Sequence, residues 1–312
     1  MKCLICNKDA NFIAHALLAP WLSRLIGGGV IRSRLFECQE CDFKFFEYRY
    51  SEFEVSKIYS SYRTGIYESS RRAWEPWYTS GINNLYTSDE ATREISRRKK
   101  RMLDQFKKAG LEMKFKNCLD FGGDDGQFFP DSITGNRYLV DPSSTPSSKF
   151  VNNIRTVQDI AAIPEKLELV MCCMVMEHLS SFSKLMYAVS DKLEGSNAGQ
   201  SGIFYLEIPR DGFKVGKWAQ SRNYYRYLTF VSKFPPLFIS LDFLTGVFRN
   251  YFRTIPIFGI VKQSEHINYF SRKAITKLVS KDLEVLFVSD ENLNEKYGYF
   301  RLGFLAAIAR RR

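Results

Sequence analysis

The sequence predicts an α/β fold built on a doubly wound sheet, together with a small metal-binding domain near the N-terminus. Two apolar, strand-like runs predict the sheet: residues 115–121 lead into a glycine-rich turn at 122–126, and residues 138–140 end at Asp141. In such sheets, ligands bind where parallel strands end in turns of this kind. Two cysteine pairs within the first 41 residues predict the small domain.

Composition narrows the class of protein before any motif is considered. The 312 residues are 45% hydrophobic and 15% aromatic, which is enough to bury a full core and excludes disordered, collagen-like and coiled-coil chains. A formal net charge of +11 indicates an anionic partner or surface. No run reaches the roughly 18 apolar residues of a spanning helix, and the first residues do not resemble an export signal. We therefore expect a cytoplasmic protein whose cysteines are thiols or metal ligands.

The four N-terminal cysteines form two identically spaced pairs, Cys3 with Cys6 and Cys38 with Cys41. Each CxxC turn can place two thiolates on one side of a tight loop, and two such turns complete the tetrahedral sulfur shell that Zn²⁺ prefers. We predict a structural zinc site at these four residues. Surface or redox-active thiols are the alternative, and His15 could replace one of the ligands.

The segments around these cysteines have patterns of their own. Residues 12–25 are predicted to be helical, the glycines at 27–29 to form a turn, and the aromatic run at 43–50 to form a strand. Residues 59–78 combine tyrosines, tryptophans and arginines. They either connect two domains or form a substrate-binding wall, because arginine beside aromatic rings suits sugars and phosphates.

The glycine-rich turn carries the first functional signal. It follows a helical stretch at 91–111 and the strand at 115–121. Glycines allow backbone N–H groups to approach a nucleotide-like ligand. Asp141 lies 21 residues after Asp120, near the ~20 expected of an acid that binds a ribose. Together the two features favour a nucleotide-like ligand at this turn.

With these motifs, the chain resembles the class I S-adenosylmethionine-dependent methyltransferases, in order and over most of its length. The matching positions are residues 119–126, Asp141, Asp159 with Ile160, 169–179, 202–209 and 265–271. The last segment resembles the E-H-x-x-Y-F-S element of sugar C-methyltransferases and of methyltransferases from surface-polysaccharide gene clusters, some of which carry an N-terminal four-cysteine zinc domain. The resemblance implies a Rossmann-like seven-stranded sheet with helices on both faces and a final antiparallel hairpin, formed by residues 283–288 and 299–309 around a polar loop at 290–296.

The resemblance also implies that S-adenosylmethionine is the cofactor. The residues expected to bind it are those at the motif positions: Asp120, Gly122, Gly123, Asp124, Gly126, Asp141, Asp159, Ile160 and Cys173. Two residues depart from the family pattern, since Asp124 replaces a usual glycine and Glu168 replaces a usual aspartate. The extra carboxylate of Asp124 could weaken cofactor binding, or it could favour the positively charged amine of the cofactor.

Two histidines are candidate catalytic residues. His266 is the first candidate for a general base, because imidazole titrates near neutral pH and the element that carries it follows the fifth strand of the resemblance. His178, at the end of the fourth strand, is the second. Either histidine could instead brace the fold through hydrogen bonds.

Two segments hold the excess positive charge. Residues 210–263 form an insertion with nine basic residues, two acidic residues and many aromatics, and residues 93–116 contain ten basic and three acidic residues. The insertion could bind a sugar on a diphosphate carrier, contact an anionic membrane from the inner face, or clamp RNA. It could also be a plain helical lid with solvated charges.

These observations predict a zinc-binding domain and connector at 1–75 and a methyltransferase domain at 76–312. The predicted activity is methyl transfer to a saccharide, either a nucleotide sugar or a surface-glycan intermediate. An RNA methyltransferase is one alternative, although nucleic acid is the less favoured partner because no recognisable RNA-binding fold precedes the catalytic domain. A catalytically degenerate, zinc-containing scaffold is another.

Overall fold

The computed structural model describes residues 1–60, 62, 64–79, 89–142, 153–195, 201–297 and 300–312. The strands in this part of the chain are β1 (Ala10–Leu18), β2 (Arg32–Cys38), β3 (Lys44–Phe46), β4 (Cys118–Phe121), β5 (Arg137–Val140), β6 (Ile154–Thr156), β7 (Leu169–Cys173), β8 (Ile203–Pro209), β9 (Lys262–Gln263), β10 (Asn268–Tyr269), β11 (Leu283–Tyr297) and β12 (Phe300–Arg311). The α-helices are α1 (Pro20–Leu25), α2 (Glu52–Ser60), α3 (Gly65–Arg72), α4 (Asp89–Lys108), α5 (Ser183–Lys192), α6 (Arg222–Val231), α7 (Pro235–Phe252) and α8 (Arg272–Val279).

The chain divides into two compact units. The cysteine unit consists of Met1–Asn84, Arg210–Ser271 and Asn292–Gly303, and the seven-stranded unit consists of Leu85–Pro209, Arg272–Glu291 and Phe304–Arg312. This division differs from the predicted one, which placed 1–75 in one domain and assigned 210–263 to the other as an insertion. The insertion groups with the N-terminal segment because it supplies strands and apolar side chains to the same sheet and core.

The seven-stranded unit contains the predicted Rossmann-like sheet. Its strand order is β11-β12-β8-β7-β4-β5-β6. Four neighbouring pairs are parallel: β8 with β7, β7 with β4, β4 with β5, and β5 with β6. Strand β12 pairs with β8 in the antiparallel direction. Every residue of β8 is buried, as expected for a central strand covered on both faces. The predicted fold class is therefore confirmed.

Two further local predictions can be compared with the structure. The helix expected at 91–111 is α4, after which Gly110 adopts a φ of +70°. The polar loop expected at 290–296 is wrong, because β11 continues through Tyr297. Tyr299, the predicted start of the last strand, lies outside the described residues, and β12 begins at Phe300.

The cysteine unit has a five-stranded sheet of order β10-β3-β2-β1-β9. Strands β1, β2 and β3 form an antiparallel meander, to which the short strands β9 and β10 add at the two edges. The helix predicted at 12–25 is wrong over most of its length, since Ala10–Leu18 is a strand and only Pro20–Leu25 is helical. Pairing of β1 with β2 satisfies its backbone groups, and Pro20 begins the following helix.

Candidate active site

The glycine-rich turn follows β4, the strand at which the order of the large sheet reverses. Strand β4 pairs in parallel with β5 on one side and β7 on the other. Gly122 and Gly126 have φ values of +72° and +79°, in the left-handed region that favours glycine. The N–H of Gly122 donates to the carbonyl of Val140 at 2.7 Å, and the N–H of Gly126 donates to that of Gly123 at 2.9 Å. The turn therefore lies where doubly wound sheets bind their ligands.

Asp120 lies beneath this turn with its carboxyl group buried. A Cβ atom on Gly123 would lie 2.3 Å from Cγ of Asp120, so only glycine fits there. Asp120 is 1% exposed, and its Oδ2 atom has no hydrogen-bond partner among the described residues. Burial raises the pKa of Asp120 to about 7, although the positive charge of Arg98 opposes the rise. A buried oxygen without a partner is costly, and a donor group on a ligand would satisfy it.

The structure brings Asp124 and Asp141 together across the turn. The backbone N–H of Asp124 donates to Oδ2 of Asp141 at 2.8 Å. Asp124 has a φ of +57°, a conformation that aspartate tolerates better than most residues other than glycine. Aspartate thus meets the backbone demand at this position of the turn. The carboxylate of Asp141 therefore faces the turn.

The other predicted cofactor residues lie at the ends of neighbouring strands. Asp159 follows β6 and caps a short 3₁₀ helix, Ile160–Ala162, by accepting from the N–H of Ala161 at 3.1 Å. Ile160 is buried. Cys173 ends β7, and burial raises the pKa of its thiol well above the usual value, so that the thiol is neutral. Strands β4, β5, β6 and β7 are parallel, so their carboxyl ends lie at one edge of the sheet. The glycine turn and these residues follow the strands at that edge.

His178 lies a few residues beyond β7. Its Nε2 atom is 3.8 Å from Oε1 of Glu177, which exceeds hydrogen-bond distance. Glu177 is buried, whereas the His178 side chain is 20% exposed. His178 is thus accessible, as a catalytic residue needs to be.

Part of the basic run at 93–116 serves the interior of the seven-stranded unit. Nε of Arg98 lies 2.9 Å from one oxygen of Glu207, and Nε of Arg101 lies 3.5 Å from the other. The side chains of Arg98 and Glu207 are buried, and that of Arg101 is 9% exposed. Burial alone would raise the pKa of Glu207, but the two guanidinium groups hold it below its usual value. Two of the ten basic residues in this run therefore neutralise a buried acid.

His266 belongs to the cysteine unit, where it contacts Asp211. Its Nδ1 atom lies 3.1 Å from Oδ2 of Asp211, and Nη2 of Arg249 lies 2.8 Å from the same oxygen. Burial would raise the pKa of Asp211, but Arg249 and His266 hold it well below its usual range. An ionised Asp211 favours the tautomer in which Nδ1 carries the proton, which leaves Nε2 to accept one. The pair therefore has the arrangement of an oriented general base.

A cavity of about 420 Å³ in the cysteine unit is lined by His266. This volume is typical of small-molecule sites. Its basic and acidic lining consists, besides the histidine, of three basic and three acidic residues: Arg71, Arg249, Lys262, Asp211, Asp242 and Glu265. Its aromatic lining consists of Trp77, Phe213, Phe243, Tyr251 and Tyr269. The cavity thus combines ring faces with many hydrogen-bonding groups and has nearly balanced charge.

Ion pairs fix the polar side of this cavity. Arg71 contacts Glu75 at 2.7 Å and Glu265 at 3.0 Å. Lys262 contacts Glu75 at 2.6 Å and also pairs with Asp242. Burial would raise the pKa of Glu75, but Lys262 and Arg71 lower it to about 2. These groups are already held in one geometry, so a ligand would meet a preorganised surface.

Comparison with known proteins identifies the family. A family model described as a methyltransferase domain matches residues 88–282, which is more than half of the chain. The chain belongs to this family. The predicted enzyme class, an S-adenosylmethionine-dependent methyltransferase, is thereby confirmed.

Solved structures of other methyltransferases are similar to this one at low sequence identity. The N-methyltransferase NodS from Bradyrhizobium japonicum WM9, in complex with S-adenosyl-L-homocysteine, is 12% identical with a TM-score of 0.41, and the match covers 74% of this chain and 96% of that chain. The magnesium protoporphyrin IX methyltransferase ChlM from Synechocystis PCC 6803 is 12% identical with a TM-score of 0.43, covering 83% and 100%. No curated protein matches the chain.

The four N-terminal cysteines of this methyltransferase form one cluster. Their sulfur atoms all lie within 4.8 Å of one another. Three of the distances are 3.7 Å for Cys3 to Cys41, 3.4 Å for Cys6 to Cys38 and 3.8 Å for Cys6 to Cys41. Zinc–sulfur bonds of 2.3 Å in a tetrahedron place sulfur atoms about 3.8 Å apart. The cluster therefore has the dimensions of a four-thiolate metal site.

Several residues around the cavity of this methyltransferase were missed by the sequence analysis. In the sequence, Asp211 and Arg249 are only two of the charges of the insertion. In the structure, Asp211 contacts His266 and Arg249 pairs with Asp211. Asp211 had a usable signal, because it follows β8 by two residues, at the carboxyl end of a strand. Arg71 and Trp77 come from the segment for which a substrate-binding wall was one of two readings, and they line the cavity.

Proposed function

We propose that this methyltransferase transfers a methyl group from S-adenosylmethionine to a saccharide, either a nucleotide sugar or a surface-glycan intermediate. The observation that carries the acceptor class is the cavity around His266. Ring faces suit the apolar face of a sugar, and paired carboxylates and guanidinium groups suit its hydroxyls. Because the charged lining is balanced, the cavity fits the neutral sugar part of such an acceptor better than a polyanion such as RNA.

One observation in the seven-stranded unit supports the donor: the buried Oδ2 atom of Asp120 has no hydrogen-bond partner among the described residues. S-adenosylmethionine, when bound, supplies a methyl group on a sulfonium, which a nucleophile can displace in line. Asp120 would accept from its amine, and Asp141 from its ribose hydroxyls. The predicted donor-binding set remains Asp120, Gly122, Gly123, Asp124, Gly126, Asp141, Asp159, Ile160 and Cys173.

His266 is the proposed general base. The carboxylate of Asp211 accepts a hydrogen bond from the Nδ1–H of His266 and stays ionised, and Nε2 takes the proton that an acceptor hydroxyl or carbon loses as the methyl group arrives. Arg249 keeps Asp211 ionised, which stabilises the imidazolium formed in that step. His178, at the end of the fourth strand of the resemblance, stays the second candidate.

A structural Zn²⁺ ion is proposed at Cys3, Cys6, Cys38 and Cys41. The sulfur spacing supports this proposal, and four protein ligands leave no open position for catalysis. Strands β2 and β3 flank the second cysteine pair, so the ion would secure the sheet that also carries His266 through the neighbouring β10. The role is therefore to hold the acceptor cavity in shape.

The experiment that tests the acceptor class uses labelled S-adenosylmethionine with two acceptor panels, nucleotide sugars and structured RNA. We expect transfer to a sugar, and we expect Trp77→Ala to raise KM for that sugar while leaving the Kd of the donor unchanged. Replacement of Phe53, an exposed aromatic residue that is not part of the cavity lining, by alanine is the matched control. Transfer to RNA with no transfer to any sugar would refute the proposal.

A further inference from the structure

Helix α7 has an unusual distribution of charge. Its 18 residues contain only two charged side chains, Asp242 and Arg249. Asp242 is buried together with Phe238 and Thr245, with which it shares a face, and it pairs with Lys262. Arg249, one turn after Thr245, pairs with Asp211. The charged side chains of this helix therefore lie on its inner face.

The outer face of α7 is apolar. Leu237 and Leu244 lie seven residues apart and are exposed, and Phe252 is exposed at the end of the helix. The hydroxyl of Ser240, on the same side, already donates to the carbonyl of Pro236 at 2.9 Å. A surface helix of a soluble protein normally directs its polar residues outward. This helix does the reverse, which marks a contact surface.

Helix α6 continues this surface and adds positive charge to it. Arg222, Arg226 and Phe230 are spaced four residues apart, so they share a face, and all three are exposed. Phe230 packs against Phe234, which is exposed between the two helices with a ring-centre distance of 4.9 Å, and Lys233 lies beside it. We define the docking face by three basic and five apolar residues: Arg222, Arg226, Lys233, Phe230, Phe234, Leu237, Leu244 and Phe252.

Negative charge is missing from the same stretch of sequence. Residues 212–241 contain five basic residues and no acidic residue. The next acid along the chain, Asp242, is buried in its ion pair. A second copy of the chain would bring the same positive charges to the interface, whereas an anionic surface complements them.

We propose that the docking face binds the surface of an anionic lipid bilayer. Helices with leucine and aromatic residues on one side and arginine or lysine at the margin lie in the interface plane, with apolar side chains among the acyl chains and cations at the phosphates. No helix in the described part of the chain is long and apolar enough to span a bilayer. The contact is therefore peripheral. The proposal depends neither on the methyl donor nor on the acceptor.

The test measures binding of the full-length protein to vesicles by sedimentation. We expect binding to vesicles of equal parts phosphatidylcholine and phosphatidylglycerol, weaker binding to phosphatidylcholine alone, and weakening with salt. Phe252→Ser should lower the partition coefficient about tenfold, because a buried aromatic side chain is lost from the interface. Arg226→Glu should lower it more than about fivefold on the anionic vesicles.

Matched controls separate the docking face from general stickiness. Phe53 and Phe252 are both 67% exposed, so Phe53→Ser removes the same side chain elsewhere on the cysteine unit and should leave binding unchanged. Arg272→Glu is the charge control, since Arg272 is also exposed. Absence of binding to the anionic vesicles, or equal losses in variants and controls, would overturn the proposal. So would a dimer in light scattering that Phe252→Ser dissociates, because the face would then be covered by a second copy.

Discussion

Replacing Asp120 with asparagine is expected to make the protein progressively more stable relative to the natural protein as the pH rises from 5 to 8, while weakening donor binding. The carboxyl group is buried beneath the glycine turn, and burial raises its pKa from 3.8 to about 7. Below pH 3.8 the group is protonated in both the folded and the unfolded chain and has no effect. As the pH rises from 3.8 to about 7, the unfolded chain loses this proton first, so the free energy of unfolding falls.

The size of the effect follows from the two pKa values. Each pH unit between them corresponds to about 1.4 kcal/mol, so the full cost of ionising Asp120 is about 4 kcal/mol above pH 7. Asparagine never ionises. From pH 5 to pH 8, the free energy of unfolding of Asp120→Asn should therefore rise by about 3 kcal/mol relative to that of the natural protein. Any constant cost of the amide cancels in this difference.

The assay is urea unfolding of both proteins without donor, at pH 5, 6, 7 and 8 and constant ionic strength. Glu207→Gln is the matched control, because Glu207 is also 1% exposed in the same unit but has a lowered pKa. Glu207 is ionised in both the folded and the unfolded chain above pH 5. The difference in the free energy of unfolding between Glu207→Gln and the natural protein should therefore stay constant with pH. An Asp120→Asn difference that is the same at pH 5 and pH 8 would refute the reasoning.

Three further outcomes are expected. His266→Ala should abolish turnover while calorimetry shows unchanged affinity for S-adenosylhomocysteine, and His15→Ala should retain turnover; full activity without His266 would exclude it as the base. Gly123→Ala should lower the free energy of unfolding in urea by about 1–3 kcal/mol and weaken donor affinity, because its Cβ would lie 2.3 Å from the Asp120 carboxyl group. The control Gly65→Ala should change neither quantity, because a Cβ at Gly65 meets open space. Elemental analysis should find about one zinc per chain, and Cys41→Ser should lower both the zinc content and the midpoint of thermal unfolding; a metal-free natural protein would contradict the zinc site.

The predictions that succeeded rest on local patterns. The buried run at 115–121, the glycines after it and the paired cysteines each act within a few residues, so the sequence predicted the sheet, the turn and the thiol cluster. The prediction at 12–25 failed because an apolar run of this length suits a helix or a strand, and pairing with β2 decided in favour of the strand.

The residues that position the candidate base could not be found in the same way. Asp211 and Arg249 lie 38 residues apart and His266 lies 17 residues after Arg249, so no local spacing connects them. The assignment of 210–271 to the cysteine unit likewise depends on strands β9 and β10 joining a sheet whose other members precede residue 47. The roles of the individual donor-binding and catalytic residues stay predictions.

The sequence by itself determined the class of fold, the family and the elements that bind through local backbone geometry, because glycine turns, CxxC turns and strand patterns are set by neighbouring residues. Only the tertiary structure decided which charges are internal. In the sequence, nothing distinguishes Arg98, Asp242 and Arg249 from solvent-exposed charged residues. In the folded chain, they are buried or paired with residues distant in sequence. That sorting leaves an apolar and basic face on α6 and α7, since exposure is a property of the folded chain.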